Sequence, residues 1–205
     1  LSKLSYIDLA TEIISNFCEQ DLSKTKLRTL VENAYKKFEE KEVVNIKKIG
    51  DINILELYNG PTLAFKDIAM QVIGNMYDEL NTTKEKKINI VVATSGDTGS
   101  AAISALNDRK NINVFVLHPY NKISNIQRKI MTTIGSKNIF NVAIKGTFDD
   151  CQKIVKKMFS DNQFREAINM SGVNSINWAR IICQIVYYFY TALKFPDKKL
   201  NFSVP

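Results

Sequence analysis

The pattern of apolar and polar positions divides the chain into two parts. Up to about residue 40, apolar residues recur every three or four positions, as on one face of an amphipathic helix. Leu9, Ile13 and Phe17 form such a face in a first predicted helix, and Ser5–Asp8 has the spacing of a capping box. The apolar face of a second predicted helix consists of Leu27, Leu30, Val31, Ala34, Tyr35 and Phe38. We therefore predict a helical part over residues 1–45.

In the second part, residues 46–205, short apolar strands alternate with helices. The predicted strands are residues 52–57, 88–93, 114–117 and 139–144, and the predicted helices are residues 67–80, 98–106, 126–133 and one that starts near Thr147. Strand, turn and helix in series predict an α/β fold in which helices flank parallel strands. In such sheets, ligands bind at the carboxyl ends of strands and at the amino ends of helices.

Composition and charge disfavour several classes of protein. The chain has 205 residues and is 45% hydrophobic, and its net charge of +7 comes mostly from scattered lysines, which predicts a solvated surface and no nucleic-acid partner. Cys18, Cys151 and Cys183 lie far apart and outside any Cys/His cluster, so we expect no disulfide framework and no metal site. The apolar run 181–190 is too short to cross a bilayer, and no signal peptide is recognisable, so we expect a cytoplasmic protein that does not enter a membrane.

Three stretches could carry chemistry, and the first is the turn ATSGDTGSAA at residues 93–102. Its glycines let backbone N–H groups approach a ligand, and the amino end of the following helix favours an anion. The turn matches neither a Walker A motif nor a dinucleotide-binding turn. A tight strand-to-helix turn, capped by Ser95, Asp97 or Thr98, is an equally good local interpretation.

The other two stretches are GPTLAFKD at residues 60–67 and VNSINWAR at residues 173–180. An isolated lysine such as Lys66 usually extends to solvent from a helix start, although a desolvated lysine can form a Schiff base. Asn174, Ser175 and Asn177 could project into a cleft or simply cap the next helix. Local pattern alone leaves each of these alternatives open.

Five motifs in this order resemble those of the threonine synthases, pyridoxal-phosphate enzymes of the β-family. The motifs are GPTLAFKD (60–67), ATSGDTGSAA (93–102), LHP (117–119), GTFDDCQ (146–152) and VNSINWARIICQIVYYF (173–189). The resemblance implies fold type II, which is similar to the tryptophan synthase β subunit, and pyridoxal 5'-phosphate as the cofactor. It also implies a lyase of threonine biosynthesis that converts O-phospho-L-homoserine and water to L-threonine and phosphate.

The resemblance further implies roles for particular residues. Lys66 would be the catalytic Schiff-base lysine, Phe65 would pack near the cofactor, and Asp97 would face the cofactor ring. The substrate would be bound by Ser95, Gly96, Asp97, Thr98, Gly99, Asn174 and Ser175. We expect a monomer or a homodimer.

Two departures from the family pattern make the resemblance incomplete. The family has a longer amino-terminal region, and beyond Pro205 it continues into a Thr-Gly-Asn-Phe-Gly turn that grips the cofactor phosphate. We therefore expect this chain to be part of a threonine synthase and to be inactive by itself. Two rival hypotheses are another β-family lyase, such as a serine/threonine dehydratase, and a non-catalytic module that binds phosphorylated ligands.

Overall fold

A computed structural model describes residues 1–39, 42–81, 86–175 and 177–204. The chain opens with two helices, α1 (Tyr6–Ser15) and α2 (Lys24–Tyr35). The predicted cap of α1 is confirmed, because Ser5 Oγ accepts a hydrogen bond from the Asp8 N–H. The prediction for Phe17 is wrong: it follows the end of α1, is 52% exposed, and packs edge-on against the Trp178 ring.

A β-hairpin follows, formed by β1 (Asn45–Ile49) and β2 (Ile52–Glu56). The two strands pair antiparallel around Gly50, which has a φ of 57°. The predicted strand at 52–57 is thus confirmed, but it belongs to this hairpin and does not join the parallel sheet. Strand β1 was not predicted, because two adjacent lysines separate Ile46 from Ile49 and no period of two is visible.

The central sheet has four parallel strands in the order β5-β4-β3-β6. They are β3 (Ile88–Ala93), β4 (Ile112–Pro119), β5 (Ile139–Ile144) and β6 (Met170–Ser171). The first three match predicted strands, and β3 and β5 match them residue for residue. The two-residue β6 was not predicted.

Helices cover both faces of the sheet, as predicted. They are α3 (Lys66–Asn81), α4 (Asp97–Leu106), α5 (Asn125–Thr132), α6 (Phe148–Ser160), α7 (Asn162–Ala167) and α8 (Trp178–Lys194). A large core joins β3 and β4 with α3, α4 and α8, and a smaller one lies between the sheet and α6. Since α4, α5, α6 and α8 each follow a parallel strand, their amino ends lie at the carboxyl edge of the sheet.

The amino-terminal helices belong to the same core as the α/β part. Tyr6 and Leu9 of α1 and Leu27 of α2 are buried in one cluster with residues of α3 and α8. Because the two parts share this core, it does not mark a boundary near residue 45, and the division into residues 1–45 and 46–205 stays a prediction. None of the described helices is long and apolar enough to cross a membrane.

Candidate active site

The stretch GPTLAFKD folds into a turn that is held by the carboxylate of Asp67. This side chain is completely buried and accepts hydrogen bonds from the Thr62 N–H at 2.7 Å and from Thr62 Oγ1 at 2.8 Å. A Cβ on Gly60 would lie 2.4 Å from the Asp67 Cβ, so this close approach requires glycine. Burial raises the pKa of the Asp67 carboxyl, although the bonds from Thr62 oppose the rise. The turn thereby fixes the point where α3 begins.

Lys66 is the first residue of α3, and its side chain is only 17% exposed. Its Nζ lies 3.4 Å from Asp97 Oδ2 and 4.4 Å from the centroid of the Phe65 ring. Lys66 therefore does not extend freely into solvent. The structure brings together Lys66, Phe65 and Asp97, which come from two separate motifs.

The turn after β3 is stabilised by Thr94, which is not among the predicted site residues. Thr94 Oγ1 accepts hydrogen bonds from the N–H groups of Gly96 and Gly99, both at 2.9 Å. Gly96 is the N-cap residue and provides no side-chain hydrogen bond. The alternative that Ser95, Asp97 or Thr98 caps α4 is therefore wrong. The first N–H groups of a helix have no intrahelical acceptor, so those of Asp97 and Thr98 are positioned to bind an anion.

The loop after β6 combines both interpretations that the sequence left open. Asn177 is a cap, since its Oδ1 accepts a hydrogen bond from the Ala179 N–H at 2.9 Å at the start of α8. Asn174 instead ties this loop to the end of β3, because its Nδ2 donates to the Ala93 carbonyl oxygen at 3.0 Å. The Asn174 Oδ1 is buried and has no hydrogen-bond partner among the described residues.

Asn174 and Ser175 line a cavity of about 410 Å³ at the carboxyl edge of the sheet. Its opposite wall is formed by α6 and includes Gln152, Lys156 and Phe159. Neither Lys66 nor the turn at residues 95–99 lines this cavity. The predicted site residues therefore fall into two groups that meet at the end of β3, one around Lys66 and one around Asn174.

Arg180, in the first turn of α8, is a further residue that sequence reasoning missed. It is only 4% exposed, its Nη1 donates to the Val173 carbonyl oxygen at 3.2 Å, and its buried Nε has no partner within the described ranges. No carboxylate of the described residues forms an ion pair with it. Burial lowers the pKa of its guanidinium. A cation in the first turn of a helix opposes the helix dipole, and that signal was present in the sequence.

Comparison with known proteins defines the class to which this fold and site belong. Residues 47–203 match the model of the pyridoxal-phosphate dependent enzymes, and the chain belongs to this family. It is 42% identical to the threonine synthase of Pseudomonas aeruginosa, with 98% of this chain aligned to 44% of that protein. With the threonine synthase of Saccharomyces cerevisiae, the identity is 41%, and 100% of this chain aligns to 43% of that protein.

A solved structure gives the same result for the fold. The chain superposes on the PLP-bound threonine synthase from Brucella melitensis with a TM-score of 0.85 and 42% identity, over 96% of this chain and 43% of that one. The predicted α/β fold of type II is thereby confirmed, and so is the family resemblance. The cofactor prediction is confirmed for the family, which depends on pyridoxal phosphate. The chain spans less than half the length of the relatives it matches.

Proposed function

We propose that this chain carries the cofactor lysine and the substrate loop of a threonine synthase, which converts O-phospho-L-homoserine and water to L-threonine and phosphate. The observation that carries the proposal is the position of Lys66. A largely buried primary amine lies 3.4 Å from the carboxylate of Asp97, at the sheet edge where ligands of α/β proteins bind. Close similarity to threonine synthases over nearly the whole chain supports the choice of reaction.

The residues around Lys66 fit pyridoxal phosphate. The amine can bind the cofactor's aldehyde, the Phe65 ring offers an apolar face beside it, and the Asp97 carboxylate balances a positive charge. When bound, the cofactor supplies an electron sink for charge that develops on the substrate carbons. Once the substrate's amino group has taken its place on the aldehyde, Lys66 holds and returns the proton at the substrate Cα, because a free primary amine is a base.

The remaining site residues bind the anionic ends of the substrate. The N–H groups at the start of α4 and the hydroxyls of Ser95 and Thr98 suit the carboxylate. Asn174 and Ser175 lie beside the cavity, where the longer arm of the substrate, with its phosphate, finds room. Arg180 does not itself line the cavity, but it provides a buried cation that has no carboxylate partner among the described residues, which suits the departing phosphate.

Replacing Arg180 by methionine is expected to raise KM for O-phospho-L-homoserine and to weaken inhibition by inorganic phosphate, each by about 10-fold or more. A charge-assisted hydrogen bond of roughly 1.5–3 kcal/mol accounts for that change. Steady-state kinetics at several phosphate concentrations measures it. Arg28→Met, at an exposed position in α2, serves as the control. An unchanged phosphate inhibition constant in a folded Arg180→Met variant would remove Arg180 from the substrate site.

The proposed reaction is tested by incubating the intact protein and pyridoxal phosphate with O-phospho-L-homoserine. Phosphate and L-threonine should appear in equal amounts. Formation of a 2-oxo acid and ammonia from threonine, without phosphate release from the ester, would favour a dehydratase instead. Binding of the ester with no turnover of either substrate would favour a non-catalytic module.

Two predictions, on the cellular location and on the oligomeric state of the protein, remain part of this proposal. We expect the protein to act in the cytoplasm. We also expect it to act as a monomer or a homodimer. Size-exclusion chromatography with light scattering tests the second expectation, and a larger assembly would contradict it.

A further inference from the structure

Asp97 makes a second contact that the proposed function does not use. Its Oδ1 accepts a hydrogen bond of 2.7 Å from Nε2 of Gln127, while its Oδ2 faces Lys66. The Asp97 side chain is half exposed, so its contact with the amine at 3.4 Å would not by itself fix the carboxylate. The bond from Gln127 anchors one oxygen and leaves the other directed at the amine.

Gln127 is itself held in one orientation at the start of α5. Its Oε1 accepts a hydrogen bond from Ser124 Oγ at 3.1 Å. The backbone N–H of Gln127 also donates to Ser124 Oγ, at 3.2 Å. Because Ser124 occupies the carbonyl side of the amide, the NH₂ side is directed to Asp97. The helix cap of α5 therefore continues as a chain of hydrogen bonds that ends at Lys66.

The glycine of the substrate loop provides independent support for this arrangement. A Cβ on Gly96 would lie 2.2 Å from Cδ of Gln127, and the φ of Gly96 is +153°. The Gln127 amide thus lies directly against the backbone of the loop, and a side chain at residue 96 would displace it. The φ of Gly96 favours glycine independently of this contact.

We infer that Gln127 is a positioning residue for Lys66, which acts by holding the Asp97 carboxylate against the lysine amine. The inference rests on the proposed function for its catalytic consequence. A neutral donor suits this task, because a cation at this position would compete with Lys66 for the carboxylate and a glutamate would repel it. Gln127 touches neither substrate nor cofactor in this role, and it acts through Asp97.

The test is a double-mutant cycle with Gln127→Met and Asp97→Asn, measured first on the cofactor-free protein. Competitive acetylation with acetic anhydride, read by mass spectrometry, gives the reactivity of Lys66 relative to the other lysines. Each single variant is expected to change this reactivity in the same direction, and the double variant should match Asp97→Asn alone. Independent, additive changes, or no change in Gln127→Met, would overturn the inference.

The catalytic consequence is measured on the same substitutions in the intact protein, with the cofactor added. In Gln127→Met, kcat and the rate of covalent cofactor attachment should fall by about 10-fold or more, since a small misplacement of a reacting group has effects of this size. KM should stay unchanged, and Gln127→Glu should lose more activity than Gln127→Met. Arg128→Gln, the neighbouring exposed position on α5, is the matched control and should behave as wild type. A rise in KM alone would overturn the inference.

Two further results separate this inference from the proposed function. If the wild-type protein released no phosphate but the acetylation cycle showed coupling, the reaction would be wrong and the positioning role would stand. If phosphate were released but the cycle showed no coupling, only the role of Gln127 would be wrong. Urea unfolding of each variant confirms that the compared proteins are folded, and the neutral Gln127→Leu replaces Gln127→Met if the latter is not.

Discussion

Replacing Lys66 by alanine in the intact protein is expected to abolish covalent attachment of pyridoxal phosphate and to lower kcat by at least about 10³-fold. The effect is large because cofactor attachment and proton transfer use the same amine. Absorbance spectra of the protein after dialysis and phosphate release from O-phospho-L-homoserine measure the two losses. The fold should be retained, since within the described part of the chain the Lys66 side chain contributes one long ion pair and one ring contact.

The matched control is Lys153→Ala, which removes a lysine whose side chain is 79% exposed. That variant should keep both the absorbance band and the activity. Turnover close to wild type in Lys66→Ala would contradict the assignment of the catalytic lysine, whatever the control showed.

The second large effect is expected for Asp67→Ala, and it falls on stability. Removing the carboxylate leaves the Thr62 N–H and hydroxyl without their acceptors in a part-buried turn, which costs roughly 2–4 kcal/mol of unfolding free energy. Because this turn fixes the start of α3, activity should fall as well. Urea unfolding measures the loss, and Asp51→Ala at the exposed hairpin turn is the control. Equal stability of the two variants would show that the buried carboxylate does not hold the turn.

The difference in unfolding free energy between the wild-type protein and Asp67→Ala should also depend on pH, and the direction follows from the pKa of Asp67. Burial raises the pKa of Asp67 in the folded protein above its ordinary value of 3.8. The folded state therefore binds the proton more tightly, and this contribution to stability is greatest below pH 3.8 and is lost as the pH rises through the folded-state pKa. The stability deficit of Asp67→Ala should be larger in acid than at neutral pH. A deficit that grows steadily towards neutral pH would contradict the direction of the shift.

Local patterns predicted most of the regular structure because each element carries its own signal. Short, mostly apolar runs identified β3 and β5, and the capping box at Thr147 located the start of α6. The two-residue β6 is too short to show a period of two, and β1 is defined by its pairing with β2. Elements that depend on a partner were therefore missed or placed in the wrong sheet.

The candidate site was predictable in parts but not as an arrangement. The turn at residues 93–102 follows a strand and begins a helix, so its place at the sheet edge followed from topology. The role of Lys66 came from the family resemblance, since the local sequence alone favours a solvated lysine. Gln127 was missed because its partner Asp97 lies 30 residues away, although the Ser-x-x-Gln spacing at the start of α5 has the pattern of a capping box.

Reduction with sodium borohydride tests the central claim most directly. The intact protein is saturated with pyridoxal phosphate, reduced, digested and mapped by peptide mass spectrometry. The account predicts a pyridoxyl group on the peptide that contains Lys66 and none on that peptide in Lys66→Ala. Stable modification of a different lysine, or no specific modification at all, would contradict it.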